Sequence, residues 1–144
     1  MKRKLNCVLL IDDDDPTNYL NRLIVEQVDC ADSIQVVQSG QEALDYLTNA
    51  GTYQTGNTHF PQPDLIFLDI NMPGMDGWEF LEKYKALTNG QKAKIVMVML
   101  TTSLNPDDEL RARTFPEISG FENKPLNGDM VENILRRSFP AIFG

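Results

Sequence analysis

Apolar positions along the chain fall into two alternating kinds. Cys7-Val8-Leu9-Leu10-Ile11, Leu65-Ile66-Phe67-Leu68 and Ile95-Val96-Met97-Val98-Met99-Leu100 are short continuous runs. Their length and lack of alternation suit strands buried on both faces of a parallel sheet. Ile34-Gln35-Val36-Val37 is shorter and more mixed, as an edge strand would be. Between these runs, apolar residues recur at spacings of three and four: Leu20, Leu23, Ile24 and Val28; Ala43, Leu44 and Leu47; Phe80, Leu81, Tyr84 and Leu87; and Met130, Val131, Ile134 and Leu135. Each set shares one face of a helix, and a weaker pattern surrounds Leu110. Asp76 ahead of Gly77-Trp78-Glu79 reads as an N-cap followed by an acid at the third helical position. Asn105-Pro106 ahead of Asp107-Asp108-Glu109 reads as a capped start with acids at the positive end of the helix dipole. A fifth strand is signalled by Gly120-Phe121-Glu122-Asn123, which is short and polar and is expected at the other edge.

Five repeats of strand then helix predict an α/β fold, a doubly wound five-stranded parallel sheet with helices on both faces and right-handed crossovers. The length of 144 residues suits a single domain over residues 1–144, with a core from about 4 to 137 and a tail of 138–144. Apolar residues at 42% and charged residues at 24% are ordinary for a globular chain. No apolar run approaches the roughly 20 residues a spanning helix needs. The basic start MKRK leads to an apolar run that stops at four aspartates, too early for a signal peptide, so it is expected to be the first strand of a cytoplasmic protein. The formal net charge of −8 argues against nucleic acid and anionic lipid as direct partners. Cys7 and Cys30 form no CxxC pair and are expected to be small buried or half-buried residues. Gly51 to Pro63 is turn-rich and long for a connection. It is expected to be a surface insertion, with His59 solvated on it.

In open α/β sheets, ligands bind beyond the carboxyl ends of the strands. Asp12 and Asp13 follow the first strand, Asp69 the third, Thr101 and Thr102 the fourth, and Lys124-Pro125 the fifth. Three ionised acids against one lysine leave a surplus of negative charge, which is costly unless a cation binds. A hard divalent cation suits carboxylate ligands, and Mg²⁺ takes one or two of them with waters and phosphate oxygens. The same acids rule out neighbouring folds. The loop Asp12-Asp13-Asp14-Asp15-Pro16 would repel a phosphate cradled as in flavodoxins, and a GxGxxG dinucleotide loop is absent. The DxD of haloacid-dehalogenase phosphatases is absent too, because Asp69-Ile70-Asn71 lacks the second acid.

Leu10-Ile11-Asp12-Asp13, the run Leu68-Asp69-Ile70-Asn71-Met72-Pro73-Gly74-Met75-Asp76-Gly77, then Leu100-Thr101-Thr102-Ser103 and Asn123-Lys124-Pro125 stand in this order over nearly the whole chain. Together they resemble the receiver domain of bacterial two-component response regulators, and a stand-alone receiver without an output domain is expected. The resemblance implies a flavodoxin-like (βα)5 fold with strand order 2-1-3-4-5. It implies a regulator, not an enzyme, that accepts a phosphoryl group from a histidine kinase or phosphotransfer protein and controls an unknown protein target. Asp69 would be the phosphoacceptor. Asp12, Asp13, Asp69 and the main-chain carbonyl of Asn71 would hold Mg²⁺, and Lys124 would offset charge on the transferring group. Thr101 and Phe121 would form the switch, acting on a face made by the fourth helix, fifth strand and fifth helix.

Asp14 and Asp15 are read as helix-start acids outside the metal site. Three features depart from the family's common pattern. Thr102 stands where alanine is frequent, Asn71 and Ser103 are uncharged at two variable positions, and Pro116 shortens the fourth helix. Phe139, Ile142 and Phe143 on the tail are expected to pack on the domain. Two other readings remain: a pseudo-receiver that keeps the fold without the chemistry, which the intact Asp12, Asp13, Asp69, Thr101 and Lys124 oppose, and a small phosphatase, for which no separate acid/base pair is visible.

Overall fold

Parallel pairing builds one sheet from five strands, β1 (Leu5–Ile11), β2 (Ala31–Val37), β3 (Leu65–Asp69), β4 (Val96–Thr101) and β5 (Ile118–Asn123), in the order β2-β1-β3-β4-β5. Helices α1 (Asp15–Val28), α2 (Gly40–Thr48), α3 (Gly77–Lys85), α4 (Pro106–Ala112) and α5 (Gly128–Ser138) follow the strands in turn, and Pro140–Phe143 form a closing 3-10 turn. The structure is a computed structural model and describes residues 4–48, 61–87, 95–102 and 105–143. His59 with most of the Gly51–Pro63 stretch, Ser103 and the side chain of Phe143 lie outside the described residues.

The continuous apolar runs are explained by the two layers they feed. Successive side chains leave a strand on opposite faces. Leu9, Ile11, Ile66, Leu68, Met97 and Met99 join Tyr46, Phe80, Leu81 and Phe115 under α2, α3 and α4. Val8, Leu10, Leu65, Phe67, Val98 and Leu100 join Val25, Val131, Ile134 and Leu135 under α1 and α5. Each large side chain buried this way contributes roughly 1.5–3 kcal/mol. Cys7 and Cys30 are fully buried, as expected.

The edges are longer than the pattern suggests, since β2 starts at Ala31 and β5 at Ile118. Both have half-buried positions, so their sequence carries less apolar signal. In β5 the pairing with β4 slips between Met97 and Val98, so that Ser119 has no register partner. Helix α4 is short, at seven residues, and the chain turns before Pro116.

Helix α1 corrects one expectation. Leu20 and Leu23 are exposed, and the buried residues of α1 are Asn18, Asn21 and Val25. The start of the helix sets this rotation. Asp14 caps it through Thr17 N, and the Asn18 side chain binds back to the end of β1. In the tail, Ile142 is buried in the α1/α5 layer and Phe139 packs against it.

Candidate functional site

The order of the sheet places β1 and β3 side by side with β4 next, so their carboxyl ends open on one rim. Register fixes the depth of each residue. Ile11 pairs Leu68, which leaves Asp12 just past β1, level with Asp69 at the end of β3. Asp69 pairs Leu100, so Thr101 lies one step beyond it on β4, and Thr101 pairs Asn123, the residue before Lys124. The Lys124 backbone N–H donates to the Thr101 carbonyl at 2.6 Å, which draws the β5–α5 loop over the rim. The Lys124-Pro125 peptide bond is cis.

Asp12, Asp13 and Asp69 each bring a carboxylate oxygen within 4.8 Å of the others. Asp12 and Asp69 are buried and Asp13 is exposed. The Lys124 ammonium bridges the buried pair, at 2.7 Å from Asp12 Oδ2 and 3.1 Å from Asp69 Oδ1. Burial raises the Asp69 pKa above the usual carboxylate range and the Asp12 charge adds to it, with Lys124 opposing. Burial acts to lower the Lys124 pKa, but its hydrogen bonds to Asp12 and Asp69 carry it above the ordinary lysine value. Thr101 is buried on the same rim, and Thr102 beside it is exposed.

The remaining expected residues sit around this centre. Asn71 is exposed and turns its backbone N–H toward Asp69 Oδ1 at 3.4 Å. Phe121 is half-buried on β5 opposite Met99, packed against the core layer under α2–α4. Asp14 and Asp15 belong to the start of α1, where Asp14 accepts from Thr17 and is held below the usual carboxylate range by that bond. The β3–α3 turn is tight. The Gly77 N–H donates to the Ile70 carbonyl at 2.8 Å, and a Cβ on Gly77 would stand 2.9 Å from both the Asp69 oxygen and the Ile70 Cα. A side chain there would push α3 off the end of β3.

Two features carry no signal in the hydrophobic pattern. Asn18 is buried beside Asp12, and the polar spacing Asn18/Asn21 is the trace it leaves in the sequence. A groove of about 510 Å³ runs from Lys124 and Thr102 past Pro125 and Leu126 to Thr17, Leu20, Asn21 and Ile24 of α1.

Chemically, the centre offers hard oxygen ligands in negative excess, two buried carboxylates within reach of a lysine, and a neighbouring hydroxyl. Such a set can hold a divalent cation and a transferring phosphoryl group.

Comparison with known proteins agrees with this reading. The family model described as response regulator receiver domain matches residues 8–136. Response regulator Rcp1 of Synechocystis is 32% identical over 101 residues, which covers 70% of this chain and 65% of Rcp1. Its Mn²⁺-bound crystal structure superposes with a TM-score of 0.69 at 30% identity, over 91% of this chain and 92% of that one. A two-component response regulator from Cytophaga hutchinsonii gives a TM-score of 0.80 at 35% identity, over 94% of this chain and 97% of that one. The phosphorylated cyanobacterial phytochrome response regulator RcpA gives 0.69 at 26% identity, over 91% of each chain. Strand order, rim chemistry and sequence match converge, and the chain belongs to the response regulator receiver domain family of two-component signalling.

Proposed function

We propose that the chain is a phosphoacceptor that takes a phosphoryl group onto Asp69 from the phosphohistidine of a kinase or phosphotransfer protein. The observation that carries this is the convergence of Asp12, Asp13 and Asp69 within 4.8 Å, with Lys124 touching both buried members. In the transfer, a carboxylate oxygen of Asp69 attacks phosphorus, and the donor's N–P bond breaks with its electron pair left on the imidazole.

The residues fit Mg²⁺. All the donors are oxygens, and three acids face one lysine. Asp12, Asp13, Asp69 and the Asn71 carbonyl would hold the ion, which supplies positive charge to the transferring group. The Mn²⁺-bound Rcp1 and the phosphorylated RcpA support both halves of this reading by likeness. Lys124 offsets charge on the phosphoryl oxygens, and the Thr101 hydroxyl, one strand over, donates to them after transfer. Phe121 follows Thr101, so that the α4–β5–α5 face changes shape for a protein target.

The donor approaches over α1. Tyr19, Leu20 and Leu23 expose apolar surface there, and the groove beside them ends at Lys124. The acidic net charge and the absence of any long apolar helix among the described residues fit a partner-driven regulator in the cytoplasm, with no nucleic acid or membrane contact.

The test is incubation with acetyl phosphate and Mg²⁺, followed by intact mass. A gain of one phosphoryl group in the wild type and none in Asp69→Asn is expected. Steady hydrolysis of added phosphomonoesters would turn the reading toward a phosphatase, and no modification would turn it toward a pseudo-receiver.

A further inference from the structure

Helix α1 presents amides to the interior where apolar side chains are the rule. Asn18 is 3% exposed, while Leu20, two residues on, is 59% exposed. The Asn18 Nδ2 donates to the main-chain oxygen of Asp12 at 2.7 Å. A carbonyl oxygen only accepts, so the nitrogen end of the amide must face it. The other end, Oδ1, has no hydrogen-bond partner among the described residues. A buried acceptor left without a partner is costly, and a leucine of the same size would avoid the cost. What a leucine could not do is hold the Asp12 carbonyl.

That carbonyl belongs to the peptide joining Asp12 to Asp13. The N–H of Asp12 is still within the sheet, donating to the Val37 oxygen at 3.2 Å, and the chain beyond it has left the ladder. Asp14 N donates to Asp12 Oδ1 at 3.0 Å, and Asn18 N donates to the Asp14 oxygen at 3.0 Å. The rotation of the Asp12–Asp13 peptide plane sets the direction in which both carboxylates leave the chain, and Asn18 is the side chain that holds its oxygen. Helix α1 does not need this bond to start, because Asp14 already caps it through Thr17 N.

We infer that Asn18 is a positioning residue for the cation site: it locks the Asp12–Asp13 peptide so that both carboxylates converge with Asp69 before the ion arrives. The inference rests on the metal reading above. It follows the general rule that a ligand held in place by its neighbours binds more tightly than one that must be ordered on binding.

The test is calorimetric titration of Mg²⁺, and separately Mn²⁺, into wild type and Asn18→Leu. Each is measured well below its own melting temperature, with folding checked by circular dichroism in EDTA. Asn18→Leu keeps the volume and removes the donor. A dissociation constant at least tenfold weaker for both ions is expected, with the amide signals of Asp13 and Asp14 shifted in the metal-free spectrum. A folded Asn18→Leu that binds within twofold of wild type overturns the inference. If Asn18→Leu does not fold, Asn18→Ala is titrated by the same criterion, and failure of both to fold makes Asn18 a folding residue and also overturns it. If the wild type itself binds neither ion, the metal reading fails, which is a different result.

Discussion

Lys124 is the residue on which the unliganded rim depends. It is the cation bound to two buried acids, and its removal leaves both without compensation. Breaking a buried pair from one side costs about 3–5 kcal/mol. Lys124→Met is therefore expected to lower the melting temperature in EDTA at pH 7 by roughly 10 °C. Asp69→Asn goes the other way. The folded pKa of Asp69 is raised, so the folded state holds its proton more tightly than the unfolded chain. The resulting stability is present below the unfolded value of 3.8 and is lost as pH rises through the folded value, so at pH 7 the charge is a burden. A melt in EDTA is expected to show Asp69→Asn more stable by about 2–4 °C, and added Mg²⁺ narrows the gap by binding the wild type. The buried thiols obey the same sign rule. Burial pushes Cys7 and Cys30 from 9.0 up to about 11. Stability is expected to fall between pH 9 and about 11, at roughly 1.4 kcal/mol per pH step of one for each thiol. A Cys7→Ala/Cys30→Ala variant is expected to show a flatter slope in pH-dependent melts. The acids, Thr101 and Lys124 were legible in the sequence because each stands at or just past the end of an apolar or strand-like run. Asn18 was not, because its signal is a polar residue inside a helix whose apolar residues point elsewhere.

Among the elements, the buried strands were legible because a bounded run of apolar residues, too short for a helix and lacking alternation, fits little besides a strand covered on both faces. The edges were legible only in part, since most positions of β2 and β5 are only half-buried and their ends read as loop. Helix α1 was placed correctly and rotated wrongly. Periodicity reports which residues share a face, and it does not report which face the core takes. Helix α4 shows how little holds a short element. Its seven residues keep Ala112 and nearby Phe115 in the core and leave Leu110 62% exposed. The rest of its hold is aromatic: Trp78, just after Gly77 at the start of α3, packs on Phe115 at 5.9 Å between centroids, and the Arg111 guanidinium covers the indole at 4.5 Å. A cation over a ring at a surface adds about 0.5–1 kcal/mol. Arg111→Gln is expected to cost about 2 °C in melting temperature. It is also expected to speed amide hydrogen exchange in α4 while leaving α5 unchanged, and unchanged exchange in α4 would show that the stack does not hold the helix.

At the scale of the whole molecule, the net charge of −8 excludes more than it identifies. The positive content lies in where apolar surface remains. Tyr19, Leu20 and Leu23 are exposed on α1, and the groove that Leu20 lines ends at Lys124. A partner that seats apolar residues there brings its own reactive group to the Asp69 rim, whereas a small phosphodonor needs only the rim. This difference separates docking from chemistry. Leu20 is exposed, so Leu20→Glu is expected to change stability by less than about 0.5 kcal/mol. In a protein interface, the same change puts a charge against apolar surface and removes a contact from the groove. With a phosphorylated histidine phosphotransfer domain that phosphorylates the wild type, transfer to Leu20→Glu is expected to slow at least tenfold. With acetyl phosphate and Mg²⁺, both proteins are expected to be modified at rates within twofold. Equal slowing with both donors would mean that the substitution disturbs the rim itself through α1, and equal rates with both would move the docking surface away from α1.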